Sequence, residues 1–307
     1  MRVVVTGANG FIGKPLCKLL AQRGHEVKSI VRDNPKKYQV AAGDITQMDN
    51  WSEFLEGCNA VIHLAALVHE QKPSAQRVYD TVNTHAVKGL MHTAAEVGVK
   101  HLVFLSTAAV YNNSHQLPHK ETDIPSPDSD YGYSKLRAEQ LITEFCNSGQ
   151  LTYTILRPPM VYGPDAKANF DALVKLVLTG APLPFAAIPN MRSFIYVENL
   201  TQIIEASLDQ PSMENEIFNV SDLHDLSTTH LVQLITKYLG KKERLFYLPS
   251  SVIRVLATAI GKRSRVEKLL DTFRLDPHKL DSHMNWKPPF SVEQAIEKSV
   301  ASYRKFT

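Results

Sequence analysis

The chain has 307 residues, 44% of them hydrophobic and 21% charged, with a formal net charge of +3. That length can bury a substantial core as one large unit or two closely joined ones, and the mild charge, with no Lys/Arg run interleaved with aromatics, gives no basis for nucleic-acid binding. Cys17, Cys58 and Cys146 are odd in number and lack ligand spacing, a strand opens the chain, and no 18 uncharged apolar residues run together; the expectations are a reducing compartment with the cytoplasm as default, no signal peptide, no membrane span and no metal.

Short β-branched runs at 2–5, 26–31, 60–64, 101–105 and 152–156 alternate with helix-period segments near 14–23, 49–56, 75–97 and 131–147. This alternation predicts an α/β fold, a doubly wound parallel sheet with helices on both faces. Ligands of such sheets bind beyond the carboxyl ends of the strands. After Pro158 prolines become dense, and helices are expected near 168–179, 197–209, 227–239, 250–260 and 291–304. These form a smaller, mainly C-terminal lobe. The strand-like runs 192–197 and 216–220 are expected to return to the main sheet. Residues 1–160 with segments near 192–239 then make the sheet unit, and 161–191 with 240–307 the lobe.

The first strand runs into Thr6-Gly7-Ala8-Asn9-Gly10-Phe11-Ile12-Gly13, and a helix follows. Strand, glycine turn and helix in that order are the context a dinucleotide-phosphate turn needs: Gly7 for the sharp turn, Gly10 for close approach of a pyrophosphate, Gly13 for close packing of helix on strand. At the end of the second strand, Arg32 suits the 2′-phosphate of NADP, while Asp33, one position later, would suit the ribose hydroxyl of NAD; NADP is slightly favoured. Asp44-Ile45 and His63-Leu64-Ala65-Ala66 fall at the sheet edge where adenine and pyrophosphate would lie. His63 is given no chemical role, and His69, His85 and His101 show no ligand pattern.

Tyr-x-x-x-Lys occurs twice, at Tyr131/Lys135 and Tyr238/Lys242. Tyr238 precedes Gly240 at the end of an apolar helix and reads as a packed helix end. Tyr131 instead opens a helix, after the N-cap candidates Asp128, Ser129 and Asp130, with Ala138, Leu141, Ile142 and Phe145 as the buried stripe. One turn apart on one face, the Lys135 ammonium can lower the phenol's pKa from its usual ~10 and make its proton available. Thr107 closes the 101–105 strand, where its hydroxyl could hold a substrate oxygen against that phenol. Asn83 lies in the 75–97 helix, placed to bind backbone, water or ligand.

Thr6-Gly-x-x-Gly-x-x-Gly13, Asp44-Ile45, His63-Leu-Ala-Ala66, Val82-Asn83, Ser106-Thr-Ala-Ala-Val-Tyr111, Tyr131-x-x-x-Lys135, Arg157-Pro-Pro-Met-Val-Tyr-Gly-Pro164 and Arg192-Ser-Phe-Ile-Tyr-Val197 follow in order. As a set they resemble the extended short-chain dehydrogenases/reductases of the NAD-dependent epimerase/dehydratase family, over essentially the whole chain. The resemblance implies a Rossmann domain for NAD(P) and a substrate-binding lobe. It implies that Thr107, Tyr131 and Lys135 are catalytic, with Tyr131 as acid/base at the sugar oxygen. Gly7, Asn9, Gly10, Phe11, Ile12, Gly13, Arg32, Asp44, Ile45, Leu64, Ala65, Ala66, Asn83, Tyr131, Lys135 and Pro158 would contact the cofactor. Asn169 and Arg192 would contact substrate with Thr107, Arg192 at the diphosphate. Within the family, the segments 157–163, Lys167-Ala-Asn169-Phe and 192–196 are similar to UDP-N-acetylquinovosamine-type 4-ketoreductases and to UDP-hexose 4-epimerases.

The resemblance thus implies an oxidoreductase acting at C4 of a UDP-sugar, with reduction of a UDP-4-keto-6-deoxy-N-acetylhexosamine for surface polysaccharide favoured over 4-epimerisation. A dehydratase would need acid/base carboxylates beside Thr107, where Ala108-Ala109 stand. A non-catalytic NAD(P)-binding sensor or accessory subunit is the reading from another class, and an intact Thr107, Tyr131 and Lys135 argue against it. The expected partners are a UDP-sugar and a second copy of the chain as a homodimer.

Overall fold

The strands are β1 (Arg2–Thr6), β2 (Glu26–Val31), β3 (Gln39–Ala41), β4 (Ala60–His63), β5 (His101–Leu105), β6 (Thr152–Arg157), β7 (Met160–Tyr162), β8 (Phe194–Tyr196) and β9 (Glu216–Asn219). The helices are α1 (Gly13–Gln22), α2 (Ser52–Leu55), α3 (Ala75–Asp80), α4 (Ala86–Glu96), α5 (Asp130–Cys146), α6 (Asn169–Leu178), α7 (Val197–Ala206), α8 (Thr228–Tyr238), α9 (Ser250–Ala259), α10 (Arg263–Leu270), α11 (His278–Met284) and α12 (Val292–Val300). The computed structural model describes every residue except 49, 69–74, 113–116, 167–168, 260, 262 and 307.

Seven strands pair in the order β3-β2-β1-β4-β5-β6-β9, and every pairing is parallel. Side chains alternate across the pleat. Val3 and Val5 therefore pack with Leu16 and Leu20 of α1 and Leu200, Ile203 and Ile204 of α7, whereas Val4 packs on the other side with Trp51, Phe54, Leu90 of α4 and Ile142 of α5. A third core joins α6, α8 and α12 to β7 and β8 through residues such as Phe170, Val174, Val232, Ile235 and Ile296.

Only one of the two late strands returns to the main sheet. β9 pairs with β6, Thr154 opposite Glu216, whereas β8 pairs with β7 in a separate two-stranded sheet, Met160 opposite Phe194. Pro158 and Pro159 carry no N–H, so the β6 ladder ends there and the chain leaves the sheet before β7 forms. Asp222 fastens this junction, accepting from the Tyr162 hydroxyl at 3.0 Å, the Tyr196 N–H at 2.9 Å and the Asn199 amide at 2.8 Å. From the C-terminal segment, Leu280 and Trp286 pack in the α1/α7 core of the sheet. Among the described residues no helix is long and apolar enough to cross a membrane.

Candidate active site

The strand order reverses between β1 and β4, and the glycine turn is built there. Gly7 has φ +70°, and a Cβ on it would meet the Ala65 nitrogen at 2.9 Å. Both facts require glycine. A Cβ on Gly13 would overlap the Gly7 oxygen, while one on Gly10 would meet only that oxygen, at 3.0 Å, so the outer side of Gly10 is open. The Thr6 hydroxyl accepts from the Ala65 N–H at 3.2 Å and bonds His63 Nδ1 at 3.0 Å, and the Leu64 N–H donates to the Thr6 carbonyl at 3.3 Å. The ends of β1 and β4 are thereby one rigid edge.

Other residues at this edge are committed to the protein through their side chains. Asn9 Oδ1 accepts from Gln39 at 2.8 Å, and Phe11 and Ile12 pack against the lobe core, so the groups left to face a ligand are backbone N–H groups at the start of α1. Ile45 packs on the sheet core. Arg32 lies 3.8 Å from Asp44, and both are exposed. The Thr46 N–H and hydroxyl, and after them Arg32, hold the Asp44 carboxyl below its usual range. A glycine cradle, an open Gly10, small Ala65 and Ala66 and a polar pair at the far edge fit an extended dinucleotide.

Helix α5 begins at Ser129, whose hydroxyl accepts from the Gly132 N–H at 3.2 Å. A Cβ on Gly132 would overlap the Ala109 carbonyl oxygen and lie 2.9 Å from Pro127 Cβ. Its absence lets the first turn of α5 rest on the Ala108–Val110 turn, which carries Thr107 at its start. Thr107 stands beside Tyr131 there, and its Oγ1 accepts from the Ala109 N–H at 3.1 Å. Burial pushes the Tyr131 phenol up to about 12, the Thr107 hydroxyl opposes this, and Tyr79, whose ring centroid is 6.1 Å away, adds to the rise.

The Tyr131 pKa is thus raised where a lowering was expected: desolvation of the ring is the largest cause, and Lys135 is not among the others. Lys135 is itself buried, with Nζ 3.9 Å from the Phe104 ring centroid, and burial lowers its ammonium to about 7 against the opposing charge of Glu139. His63 is neutral, lowered to about 3 by burial and then by Lys135, and its ring stacks on Phe104.

Asn83 is buried in a π-helical turn (Thr81–His85) between α3 and α4. Its Oδ1 accepts from the Leu67 N–H at 2.8 Å, and its Nδ2 donates to the Leu67 carbonyl and Ser134 Oγ, each at 3.0 Å. The Ser134 hydroxyl in turn donates to the Tyr131 carbonyl at 2.8 Å. This side chain ties the loop after β4 to the start of α5. The Pro158 carbonyl similarly accepts from the Ala108 N–H at 2.8 Å, joining the end of β6 to the Thr107 turn.

Arg192 sits in the lobe, with Nη1 donating to the Asp271 carbonyl at 2.8 Å and its guanidinium 5.7 Å from the Phe273 centroid. The Asp271 carboxylate is taken by Arg254 at 2.7 Å. Burial lowers Arg192 to about 10, and the charge of Asp271 opposes the fall. Phe273 packs with Ala108, Val110 and Tyr111, so Arg192 faces the side of the lobe that meets the Thr107 turn. Asn169 is the exposed first residue of α6. Lys167, Ala168 and His69 lie outside the described residues. Tyr238 packs against the lobe core.

The sequence reading passed over a buried network beneath these groups. Glu139 stands one further turn along α5 and pairs with Arg157 (Nη2 to Oε2, 2.5 Å); Ser106 donates to Glu139, and Arg157 Nη1 donates to the Tyr111 hydroxyl at 2.6 Å. The available signal was the repeat Tyr131, Lys135, Glu139 at four-residue spacing on one helix face.

The profile of the NAD dependent epimerase/dehydratase family matches residues 3–221. The chain belongs to that family. This epimerase/dehydratase family member is 31% identical over 313 residues to the UDP-glucose 4-epimerase of Vibrio cholerae, covering 98% of this chain and 95% of that one. It is similar in fold to the UDP-glucuronic acid 4-epimerase from Bacillus cereus in complex with NAD, with TM-score 0.82 and 23% identity over 100% of this chain and 99% of that one. It is also similar to the Thermus thermophilus UDP-glucose 4-epimerase in complex with NAD, with TM-score 0.79 and 25% identity over 100% of both. The resemblance to extended short-chain dehydrogenases/reductases stands, and the protein is an enzyme of that type.

Proposed function

We propose that the protein is an NAD-dependent 4-epimerase of a UDP-sugar. The observation that carries this reading is the end-to-end likeness to the Vibrio cholerae UDP-glucose 4-epimerase, 31% identical across 98% of this chain. NAD, when bound, would accept a hydride from the sugar C4 and return it to the opposite face. The protein's own task is then to move one proton at O4 in both directions. Tyr131, as the phenolate, takes that proton as C4 is oxidised and gives it back as C4 is reduced; Thr107 holds the same oxygen, and the Lys135 ammonium one turn away opposes the phenolate's negative charge. Arg192 supplies a desolvated cation for the diphosphate.

Reduction of a 4-keto sugar, which the sequence favoured, uses the same residues and is the second reading. Arg32 is the observation in its favour, because a guanidinium there suits NADP. Its place 3.8 Å from Asp44 answers that charge partly within the protein, and we therefore favour NAD. Assaying the purified protein for bound nucleotide, and then for turnover of UDP-glucose and UDP-N-acetylglucosamine with no cofactor added, tests the choice. Epimerisation predicts retained NAD and turnover unaided. A protein that arrives empty and consumes NADPH with a UDP-4-keto sugar is a reductase.

A further inference from the structure

Helix α9 presents apolar side chains on two sides. Ile253 and Ala257, one turn apart, are buried and seat the helix on the lobe. Val252, Val255 and Leu256 are 41%, 68% and 55% exposed, and with exposed Ala259 they follow the i, i+3, i+4, i+7 spacing of a single outward stripe. Just upstream, Phe246 and Tyr247 are also exposed. Scattered exposed hydrophobics need no explanation, but a stripe joined by two aromatics does.

The charge around this stripe is just as uneven. Residues 241–268 hold eight Lys/Arg against two Glu, a net +6 in a chain whose total is +3, so the rest of the chain is net negative by 3. Arg263 is paired with Glu267, and Arg254 with Asp271 just beyond the segment, whereas Lys242 and Lys268 extend into solvent.

An outward apolar stripe, with exposed aromatics just upstream and an excess of basic residues in the same segment, is the composition of a helix that lies in a membrane interface. We propose that α9 and its flanks dock the protein on an anionic bilayer surface. Val255 and Leu256 enter the headgroup boundary, Phe246 and Tyr247 lie at its level, and Lys242 and Lys268 contact anionic headgroups. A second copy of this chain is the poorer occupant, because an isologous contact would set +6 against +6.

Co-sedimentation with vesicles tests this directly and does not depend on which sugar reaction the protein performs. The intact protein should sediment with phosphatidylglycerol-containing vesicles, remain in solution with phosphatidylcholine alone, and be released by high salt. The double variant Val255→Glu/Leu256→Glu should reduce the bound fraction at least roughly tenfold, and Lys242→Glu/Lys268→Glu should do so as well. Circular dichroism and thermal melting verify that each variant is folded. Failure of the parent to bind anionic vesicles, or equal binding by the α9 variant, overturns the proposal. So does a sedimentation-velocity result in which that variant turns a dimer into a monomer, which would place the stripe between copies.

Discussion

Tyr131 and Lys135 stand one turn apart on α5, yet burial moves their pKa values in opposite directions, to about 12 and about 7. Burial thus disfavours the charged form of each, so in the proposed reaction the phenolate that takes the O4 proton depends on the Lys135 ammonium beside it. Tyr131→Phe should therefore lower kcat by ~10² to 10⁴, the usual contribution of a general acid/base, with cofactor affinity nearly unchanged; Tyr238→Phe should be silent. A Tyr131→Phe enzyme within twofold of the parent would end the assignment. Glu139 is the group that opposes the fall in Lys135. Glu139→Gln keeps the shape but removes the anion, which favours the neutral amine, so the ammonium is lost at lower pH. The alkaline limb of kcat/KM should move down by roughly one unit, and an unmoved limb would show that Lys135 does not set it. Tyr131, Lys135 and Thr107 were legible as residues because their types and spacing suit proton transfer. The direction of the Tyr131 shift was not, because it depends on how deeply the ring is buried, a property of the assembled fold.

Among the elements, the junction of α5 with the Thr107 turn decides the geometry of the site. Gly132→Ala would drive a methyl group into the Ala109 carbonyl and tilt the first turn of α5 away. Displacements of about 1 Å at a reacting group can cost ~10²-fold in rate, so kcat should fall sharply. UDP affinity, which the proposed function assigns to Arg192 in the lobe, should hold. Equal losses in kcat and in UDP binding would mean that the substitution damages the whole molecule rather than this contact. Apart from β3, the strands of the main sheet were readable as β-branched runs, and β2 and β5 kept their expected ends. The segment 75–97 was read as one helix because a π-helical turn adds only one residue and leaves the apolar rhythm intact on either side. β3, α10 and α11 were missed because short elements carry too few periods to show a pattern. β8 has a strand's composition, but composition cannot say which sheet a strand joins.

For the molecule as a whole, parallel pairing gathers the strand ends on one edge, and residues as distant as Gly7, Ala65, Thr107 and Tyr131 are fixed to that edge. Some of the same burial makes the fold acid-sensitive. His101 is lowered to about 4 by burial and bonds the Thr152 hydroxyl at 2.7 Å. Its unfolded-state pKa is ~6.5, so between that value and about 4 the unfolded chain binds the extra proton and stability drops as pH falls. His101→Gln should remove up to ~1.4 kcal/mol per pH unit of that slope, measured as the urea midpoint at pH 6.5 and 4.5; parallel pH profiles for the two proteins would contradict it. Asp222, raised to about 6 by burial, acts in the opposite sense over part of that range, so the comparison between variants is more telling than the parent's profile alone.

In the proposed reaction, the hydride that leaves C4 returns to the same C4. UDP-glucose and UDP-N-acetylglucosamine deuterated at C4, incubated with the protein and no added cofactor, test it by proton NMR of the products. The C4 epimer of one or both should form, with deuterium retained at C4. Absence of any C4 epimer, or an epimer that has lost its deuterium, would contradict it.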